Sequence, residues 1–470
     1  MLRRALPALV AFASLTALCL LAGERMRVNI DFYQFLDCDL LATQLGESLL
    51  HMHMQPPLLN ALLGVAVKLA ALTGSAKAML PLLTVSHVLL GAAAVVAWVS
   101  LADALFEERW RRIAFLVLTV GNPVFHITLL RFFYTFHETV LLALLAAVTA
   151  RWLRERRLLD FAAMGALLTL LTWAHSLFHF VWALVYLAAA MVFAPRLADE
   201  AQPRRPWLLS VVALSTVVLL LAWPAKNWVM FGVFSPSSWT GLNLIHGLPG
   251  GEQPVGEFPP EIPSRYADVP ALTNPHRQGD ARNWNHYGVI AVSRERLDRA
   301  LEVMREQPSA VLAKAGRNHW HFTRSPSRQP YTGRISIDGD VAPRLTPWIW
   351  ACDRIVYQDF RSGDTLWTLE TPRDPLRPWH VSGFFFLFPI VLILTAIQIV
   401  RRHRHDPARA NLAALMLWCV IWVYLMVLFV DGAEGNRLRF STEPFLFALA
   451  LWVLPSRRSD CVEATVPEQT

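Results

Sequence analysis

Apolar runs long enough to cross a lipid bilayer recur along most of the 470-residue chain. A membrane-spanning helix takes about 20 such residues. Because lipid offers no partners for backbone N–H and C=O groups, each run must be helical. The candidate spans are 5–22, 79–101, 113–130, 138–152, 159–174, 178–194, 207–229, 381–400, 411–430 and 440–455. The pattern predicts an all-α polytopic membrane protein with about ten transmembrane helices.

The charges of the loops indicate that one further apolar stretch, 57–73, does not cross the membrane. Short cytoplasmic loops carry an excess of Arg and Lys. If 57–73 does not cross the membrane, every basic cluster in a short loop falls on the same side as Arg3 and Arg4. These clusters lie at 109–112, 151–157, 196–205, 401–404 and 457–458. We therefore expect 57–73 to be a juxtamembrane helix at the outer surface, or re-entrant, with both termini inside.

This arrangement divides the chain into three parts. Residues 1–230 form a transmembrane module with an outer acidic loop at 23–78, and residues 381–470 form C-terminal transmembrane helices and a cytoplasmic tail. Segment 231–380 has no spanning run and is rich in proline, which predicts a smaller extracytoplasmic part of α-helical and irregular structure. Its one amphipathic helix is expected at roughly 292–320, broken or kinked near Pro308.

Composition agrees with a membrane protein, since only 17% of residues are charged, against roughly 25% in soluble domains. The net charge of +7 does not indicate a nucleic-acid partner, because much of the excess Arg lies where membrane topology places it. The five cysteines show no metal-ligand spacing. Cys38 and Cys352 fall outside the predicted spans, and they could form a disulfide or remain two thiols.

Three aspartates follow the first predicted span, at Asp31, Asp37 and Asp39. A carboxylate at the membrane surface can act as a base toward an acceptor hydroxyl. The alternative interpretation is a solvated loop with ordinary surface acids. A different pair, His175 and His179, has helical i, i+4 spacing. We interpret that pair as polar packing between spans rather than as metal ligands.

The acidic loop ends in His53-Met-Gln55-Pro56-Pro57-Leu, and its two prolines preset the backbone at the start of 57–73. An acidic patch after the first span, followed by this motif, resembles the GT-C class of membrane glycosyltransferases. The likeness is greatest to bacterial family-39-type enzymes related to protein O-mannosyltransferases and lipid A aminoarabinose transferases. In that family the stretch after Pro-Pro-Leu is an outer juxtamembrane helix.

Further stretches fit the same resemblance in order along the chain. Glu138 stands near the place where the family usually has Asp in a second outer loop, and the stretch from Lys226 onward looks like the end of the last span before the family's outer domain. The stretch from Glu434 to Pro444, which contains Arg437 and Arg439, is similar to the family's late outer loop, which has an Arg followed by Pro. The resemblance implies a sugar transferase that works outside the cytoplasm.

Such an enzyme would take its sugar from a polyprenyl phosphate, since nucleotide sugars are absent outside the cytoplasm. Binding a phosphate at the membrane surface needs cations. Arginine suits phosphate best because its planar guanidinium group donates two parallel hydrogen bonds. The candidate cations are Arg131, Lys226, Arg437 and Arg439. Alternatively, Arg437 and Arg439 pair with Asp431 or Glu434 or reach lipid head groups.

The sequence thus predicts a glycosyltransferase of the bacterial plasma (inner) membrane that needs no cofactor; a divalent metal has no support. Asp37 is the preferred base, with Asp31 and Asp39 as alternates, and Glu138 orients the acceptor or donor. Substrate contacts are expected from the cations and from the motif residues His53, Gln55, Pro56 and Pro57. The acceptor is a glycan, a lipid or a protein.

Two other classes stay open. A transporter or flippase would place ionisable residues at mid-membrane and often shows repeated halves, whereas the acids here cluster at the outer interface and the halves differ. A non-catalytic assembly factor could also keep this arrangement of spans.

Overall fold

The computed structural model describes residues 2–29, 33–193, 206–251, 255–259, 261–277, 280–327, 343–358, 382–430 and 435–455. Across these residues the regular structure is helical, and β-pairing is limited to two isolated bridges. The α-helices are α1 (Leu2–Leu21), α2 (Cys38–Thr43), α3 (Leu45–Leu50), α4 (Leu58–Leu72), α5 (Met79–Leu105), α6 (Arg109–Val120), α7 (Pro123–Leu129), α8 (Tyr134–Glu155), α9 (Leu158–Ala174), α10 (Phe180–Val192), α11 (Pro206–Phe231), α12 (Thr240–Ile245), α13 (Pro270–Thr273), α14 (Gly288–Glu306), α15 (Pro308–Thr323), α16 (Thr346–Ile355), α17 (Gly383–Arg402), α18 (Pro407–Phe429), α19 (Gly435–Phe440) and α20 (Glu443–Val453).

Six helices in the described ranges are long and apolar enough to cross a membrane: α1, α5, α8, α11, α17 and α18. Helices α6 and α7 pass the same test only together, and a bend of 46° separates them, so they give at most a seventh span. Helices α4, α9, α10 and α20 are apolar but shorter. The predicted all-α membrane protein is therefore confirmed, whereas the predicted count of about ten spans is not.

Basic clusters from distant parts of the chain meet at one end of the helix bundle. Arg4 on α1 and Arg112 on α6 both contact the carboxylate of Asp103, with N–O distances of 3.4 and 3.0 Å. Arg409 on α18 contacts Glu107 at 2.5 Å. We call this end, where α1 begins and α5 ends, the basic end.

The opposite end joins the loops that follow α1 and precede α8. The backbone N–H of Arg27 donates to Leu130 O at 3.0 Å, and Phe132 N donates to Arg27 O at 2.9 Å. Near the start of α5, His87 Nδ1 lies 2.7 Å from Leu129 O. The chain thus leaves α1 and begins α5 at the same end, and the intervening α4 does not carry it to the basic end.

Helix α4 occupies the predicted 57–73 stretch to within one residue at each end. It begins directly after Pro57, whose fixed φ is already suitable for a first helical turn. The expected amphipathic helix at 292–320 is two helices, α14 and α15. They separate at Gln307, because the ring of Pro308 cannot continue a helix from the preceding turn.

Helix α15 is attached to the bundle at the end opposite the basic end. Asn318 Nδ2 donates to the carbonyl oxygens of Val427 and Leu428, at 3.0 and 3.1 Å, near the end of α18. These carbonyls are in the last turn of a helix, where no intrahelical donor remains for them. Cys38 and Cys352, which could have formed a disulfide, are both thiols.

A buried polar network ties this attachment to the C-terminal helices. Arg439 is fully buried, and its Nε and Nη2 donate to Glu443 Oε1 at 2.9 and 2.7 Å. Nη2 also donates to Arg324 O at 2.9 Å. Tyr357 OH donates to Glu443 Oε2 at 2.6 Å and accepts from Asn122 Nδ2 at 2.8 Å. The network joins α15, α16, α20 and the bend between α6 and α7.

Arg439→Met should destabilise the protein strongly, because it leaves the buried Glu443 carboxylate without its counter-ion. Breaking a buried pair in this way costs about 3 to 5 kcal/mol. The measurement is the thermal midpoint of purified protein in detergent, with Arg299→Met as the control. Arg299 pairs with Glu302 at 2.6 Å on the surface, where such pairs contribute little. Equal thermal midpoints for the two variants would contradict a stabilising role of the buried Arg439–Glu443 pair.

Candidate functional site

A cavity of about 540 Å³ lies at the end of the bundle opposite the basic end. We call this the cavity end. Cavities of roughly 300 to 1,000 Å³ are the usual size for sites that bind small molecules. The residues that line it through polar side chains include Tyr33, Gln34, Gln55, Tyr134, His175, Ser176, His179, Ser237, Ser238, Ser293, Arg294 and Arg437.

Tyr134, the first residue of α8, holds three of these side chains together. Arg437 Nη2 hydrogen-bonds its hydroxyl group, and Gln34 Nε2 donates to the same oxygen at 3.3 Å. The His175 ring stacks on the tyrosine ring, with centroids 3.9 Å apart and planes 20° from parallel. The Arg437 guanidinium lies 4.6 Å from the ring centroids of both Tyr134 and Phe133, a cation–π arrangement.

Glu138 lies one helical turn after Tyr134 and therefore on the same face of α8. It is fully buried, and its Oε1 is 2.7 Å from His175 Nδ1. A buried carboxylate is costly unless a polar or charged group lies beside it, and the His175 ring is in that position. His175 follows the last residue of α9 in extended backbone, which turns its ring toward α8. No carboxylate stands near His175 in the sequence, because the neighbouring one belongs to α8.

His179 has a different local role from His175, although both line the cavity. Its Nδ1 accepts from Val181 N at 3.3 Å and caps the start of α10. The two histidines are therefore not a ligand pair on one helix. No group of three potential metal-binding side chains occurs among the residues with described positions.

Asn60 on α4 fixes the loop that contributes Gln34 to the cavity. Its Oδ1 accepts from Leu36 N at 2.8 Å, and its Nδ2 donates to Gln34 O at 3.1 Å. Gln55 reaches the cavity from the other end of the same loop, and its Oε1 accepts from Ser176 Oγ at 3.2 Å. The predicted contact residue Gln55 thus lines the cavity, and α4 positions both ends of the loop.

The aspartates chosen from the sequence are placed differently. Asp37 caps α2, with Oδ1 accepting from Asp39 N at 2.8 Å, which is a common role for aspartate. Asp37 lies beside the loop that contains Arg277, and neither Asp37 nor Asp39 lines the cavity. Asp31 lies outside the described residues; Tyr33, two positions later, lines the cavity. Their catalytic role remains a prediction.

Of the four predicted phosphate-binding cations, the structure brings Arg437 to the cavity. Arg439 instead binds Glu443 in the buried network, while Asp431 and Glu434 lie outside the described residues. A cation that the sequence did not single out, Arg294 on α14, also lines the cavity. Its spacing on an amphipathic helix is that of an ordinary surface residue, so the sequence carried no signal for it.

Arg131 and Lys226 make other contacts. Arg131 Nη2 lies 3.4 Å from Oε2 of the buried Glu24. Lys226 Nζ donates to Met52 O at 2.5 Å and lies 3.6 Å from the ring centroid of Trp223. Neither side chain lines the cavity. Arg131 links two loops at the cavity end, whereas Lys226 joins α11 to the loop before α4. A role of either residue in binding substrate stays a prediction.

His53, Pro56 and Pro57 stand behind the cavity wall. His53 Nδ1 lies 2.7 Å from Oγ of Ser238, which does line the cavity, and His53 N donates to Asn285 Oδ1 at 2.9 Å. Burial lowers the pKa of His53 to about 3. The two prolines are buried at the start of α4. These residues shape the wall and do not line the cavity themselves.

Comparison with other proteins gives no relative. A scan against models of known protein families matched none, and searches of curated proteins and of solved structures found no match.

His53 should make the protein less stable in acid. Its pKa is lowered from 6.5 to about 3 in the folded protein, so below pH 6.5 the unfolded chain binds a proton that the folded chain does not. Stability is intact above pH 6.5 and falls by up to roughly 1.4 kcal/mol per pH unit toward pH 3.

The thermal midpoint of His53→Gln should therefore depend less on pH between 6.5 and 4 than that of the wild type. The exposed His405 provides the control variant, His405→Gln. A pH dependence unchanged in His53→Gln would show that His53 is not buried in its neutral form.

Proposed function

We propose that the protein is a membrane glycosyltransferase that moves a sugar from a polyprenyl-phosphate donor to an acceptor within this cavity. The observation that carries the proposal is the position of Arg437. Its guanidinium lies in a cavity of about 540 Å³ at the ends of apolar helices, where a lipid-borne phosphate would arrive. The resemblance of the acidic loop and the Gln55-Pro56-Pro57 motif to GT-C enzymes supports the same function.

The lining of the cavity suits each part of such a donor. Phe234, Met426 and Val430 offer apolar surface to a prenyl chain, and Phe234 is 52% exposed. Arg437 offers two parallel donors to a phosphate. The serine, glutamine and histidine side chains of the lining can bond sugar hydroxyl groups, since each accepts or donates hydrogen bonds.

The transfer itself is a displacement at the anomeric carbon. The acceptor oxygen forms the new bond, the bond from carbon to phosphate oxygen breaks, and polyprenyl phosphate leaves with the electron pair. Negative charge grows on the phosphate as it leaves, so a fixed cation stabilises the transition state more than the ground state. Arg437, held by Tyr134 and Phe133, is such a cation.

We assign the cavity end to the extracytoplasmic face of a bacterial plasma membrane. The basic end would then face the cytoplasm, as short basic loops do. With the bent α6–α7 pair counted as one span, and α9, α10 and α20 as short spans, the chain would cross about ten times. Segment 231–380 would lie outside the membrane, cover the cavity and select the acceptor.

Cysteine labelling tests this orientation. In a background with Cys38→Ser and Cys461→Ser, Arg299→Cys should react with a membrane-impermeant maleimide on intact cells, because Arg299 is half exposed on α14. Arg404→Cys should react only after permeabilisation, because Arg404 is exposed after α17, beside the basic end. The reverse pattern would place the cavity end in the cytoplasm.

Arg437→Gln should lower turnover by about tenfold to a hundredfold. A hydrogen bond to a charged group contributes about 1.5–3 kcal/mol, and its loss from the transition state gives a decrease of that size. Turnover is measured as polyprenyl phosphate released by protein reconstituted in lipid with a set of polyprenyl-phosphate sugars. Arg299→Gln, on the surface and away from the cavity, is the matched control.

Two results would contradict the proposal. One is wild-type protein that releases no polyprenyl phosphate from any donor in the set, yet moves such lipids between leaflets, which would favour a flippase. The other is an Arg437→Gln variant as active as Arg299→Gln.

A further inference from the structure

We propose that His175, held by Glu138, takes the proton from the acceptor hydroxyl during transfer. This inference rests on the proposed function and assigns the base of that reaction to a residue outside the acidic loop. Glu138 is fully buried and does not line the cavity, whereas His175 does. The carboxylate therefore acts through the imidazole, as a positioning residue, and His175 is the group that can reach a substrate.

The contact between the two side chains selects the form of His175 that can accept a proton. A carboxylate stabilises a neighbouring N–H dipole, so Glu138 Oε1, which lies 2.7 Å from Nδ1 although outside hydrogen-bond geometry, favours the tautomer with hydrogen on Nδ1. The lone pair is then on Nε2. After proton transfer the same carboxylate stabilises the imidazolium, as the acid does in a carboxylate–histidine pair.

The plane of the imidazole is also fixed. Its ring lies 3.9 Å from the Tyr134 ring, nearly parallel to it, so a rotation of the ring would break both the stacking and the contact with Glu138. A base must be held within hydrogen-bond reach of the proton that it removes. Two independent contacts, one polar and one aromatic, provide that restraint on His175.

The charged groups around His175 come from several elements. Glu138 and Tyr134 face it from α8, and His179 shares its connection between α9 and α10. Arg437 from α19 bonds Tyr134 and Arg294 from α14 lines the same cavity. The two arginines favour the departing phosphate, which carries negative charge.

One tyrosine thus holds the proposed base and the proposed phosphate ligand. Tyr134 stacks on His175 and bonds Arg437, so the two groups keep a fixed separation. In the transfer, the acceptor oxygen bonds the anomeric carbon as its proton passes to His175 Nε2. The electron pair of the breaking bond goes to the phosphate beside Arg437. The proton then passes from His175 to water, and Glu138 keeps its charge throughout.

The test compares His175→Gln and Glu138→Gln with His87→Gln, a buried histidine near the start of α5 that does not line the cavity. His175→Gln should lower kcat by about a hundredfold to ten-thousandfold, the usual contribution of a general base. It should still bind polyprenyl phosphate as the wild type does. Glu138→Gln should lose about tenfold to a hundredfold, as expected for a residue that orients a functional histidine.

A pH profile and chemical rescue separate a base from a structural pair. In the wild type kcat should rise with pH to a plateau, and this rise should be absent from His175→Gln. Added imidazole should restore part of the activity of His175→Gly, which a packing role would not predict. Wild-type kcat in a folded His175→Gln variant, with loss in Asp31→Asn, would overturn this inference and leave the proposed function standing. Absence of turnover in the wild type would overturn both.

Discussion

Three stretches of the chain that are far apart in sequence meet on the side chain of Tyr134, at the start of α8. The ring stacks on His175, the hydroxyl group bonds Gln34 and Arg437, and the backbone begins α8. In a bundle of membrane helices, backbone N–H and C=O groups form their hydrogen bonds within each helix. Contacts between polar side chains at the helix ends therefore determine how those ends are arranged. Tyrosine suits this position because it offers an apolar face and a polar tip.

Two arginines on one short helix show how the same local sequence serves two purposes. Arg437 and Arg439 are two positions apart on α19, so their side chains leave the helix about 200° apart. One faces the cavity, and the other is buried against Glu443. Helix α19 can approach its neighbours because it begins at Gly435, where a Cβ would lie 2.7 Å from Val427 Cγ1. The buried network of Arg439 and Glu443 thus holds the short helix that carries Arg437, the proposed phosphate ligand.

The sequence predicted what depends on local pattern. Apolar runs predicted the helical membrane class, and the charges of short loops with Pro56-Pro57 predicted a helix at α4. The pairing of Arg439 with Glu443 has i, i+4 spacing and could have been found in the same way. The Glu138–His175 contact could not, because it joins two helices whose packing no local pattern specifies. The capping role of Asp37 could not be predicted either. Helix α2, which it caps, has only six residues, too few to show a helical periodicity in the sequence.

The central claim is that Arg437 binds the phosphate of a lipid-linked donor, and a structure with that phosphate bound tests it most directly. The measurement is an electron cryomicroscopy map of the protein in lipid with added polyprenyl phosphate. Phosphate density within about 3 Å of the Arg437 guanidinium, with the chain leading past Phe234 into lipid, is the predicted result. Density held by Arg317 and His321 in the cleft beside α15, with the Arg437 cavity empty, would contradict it.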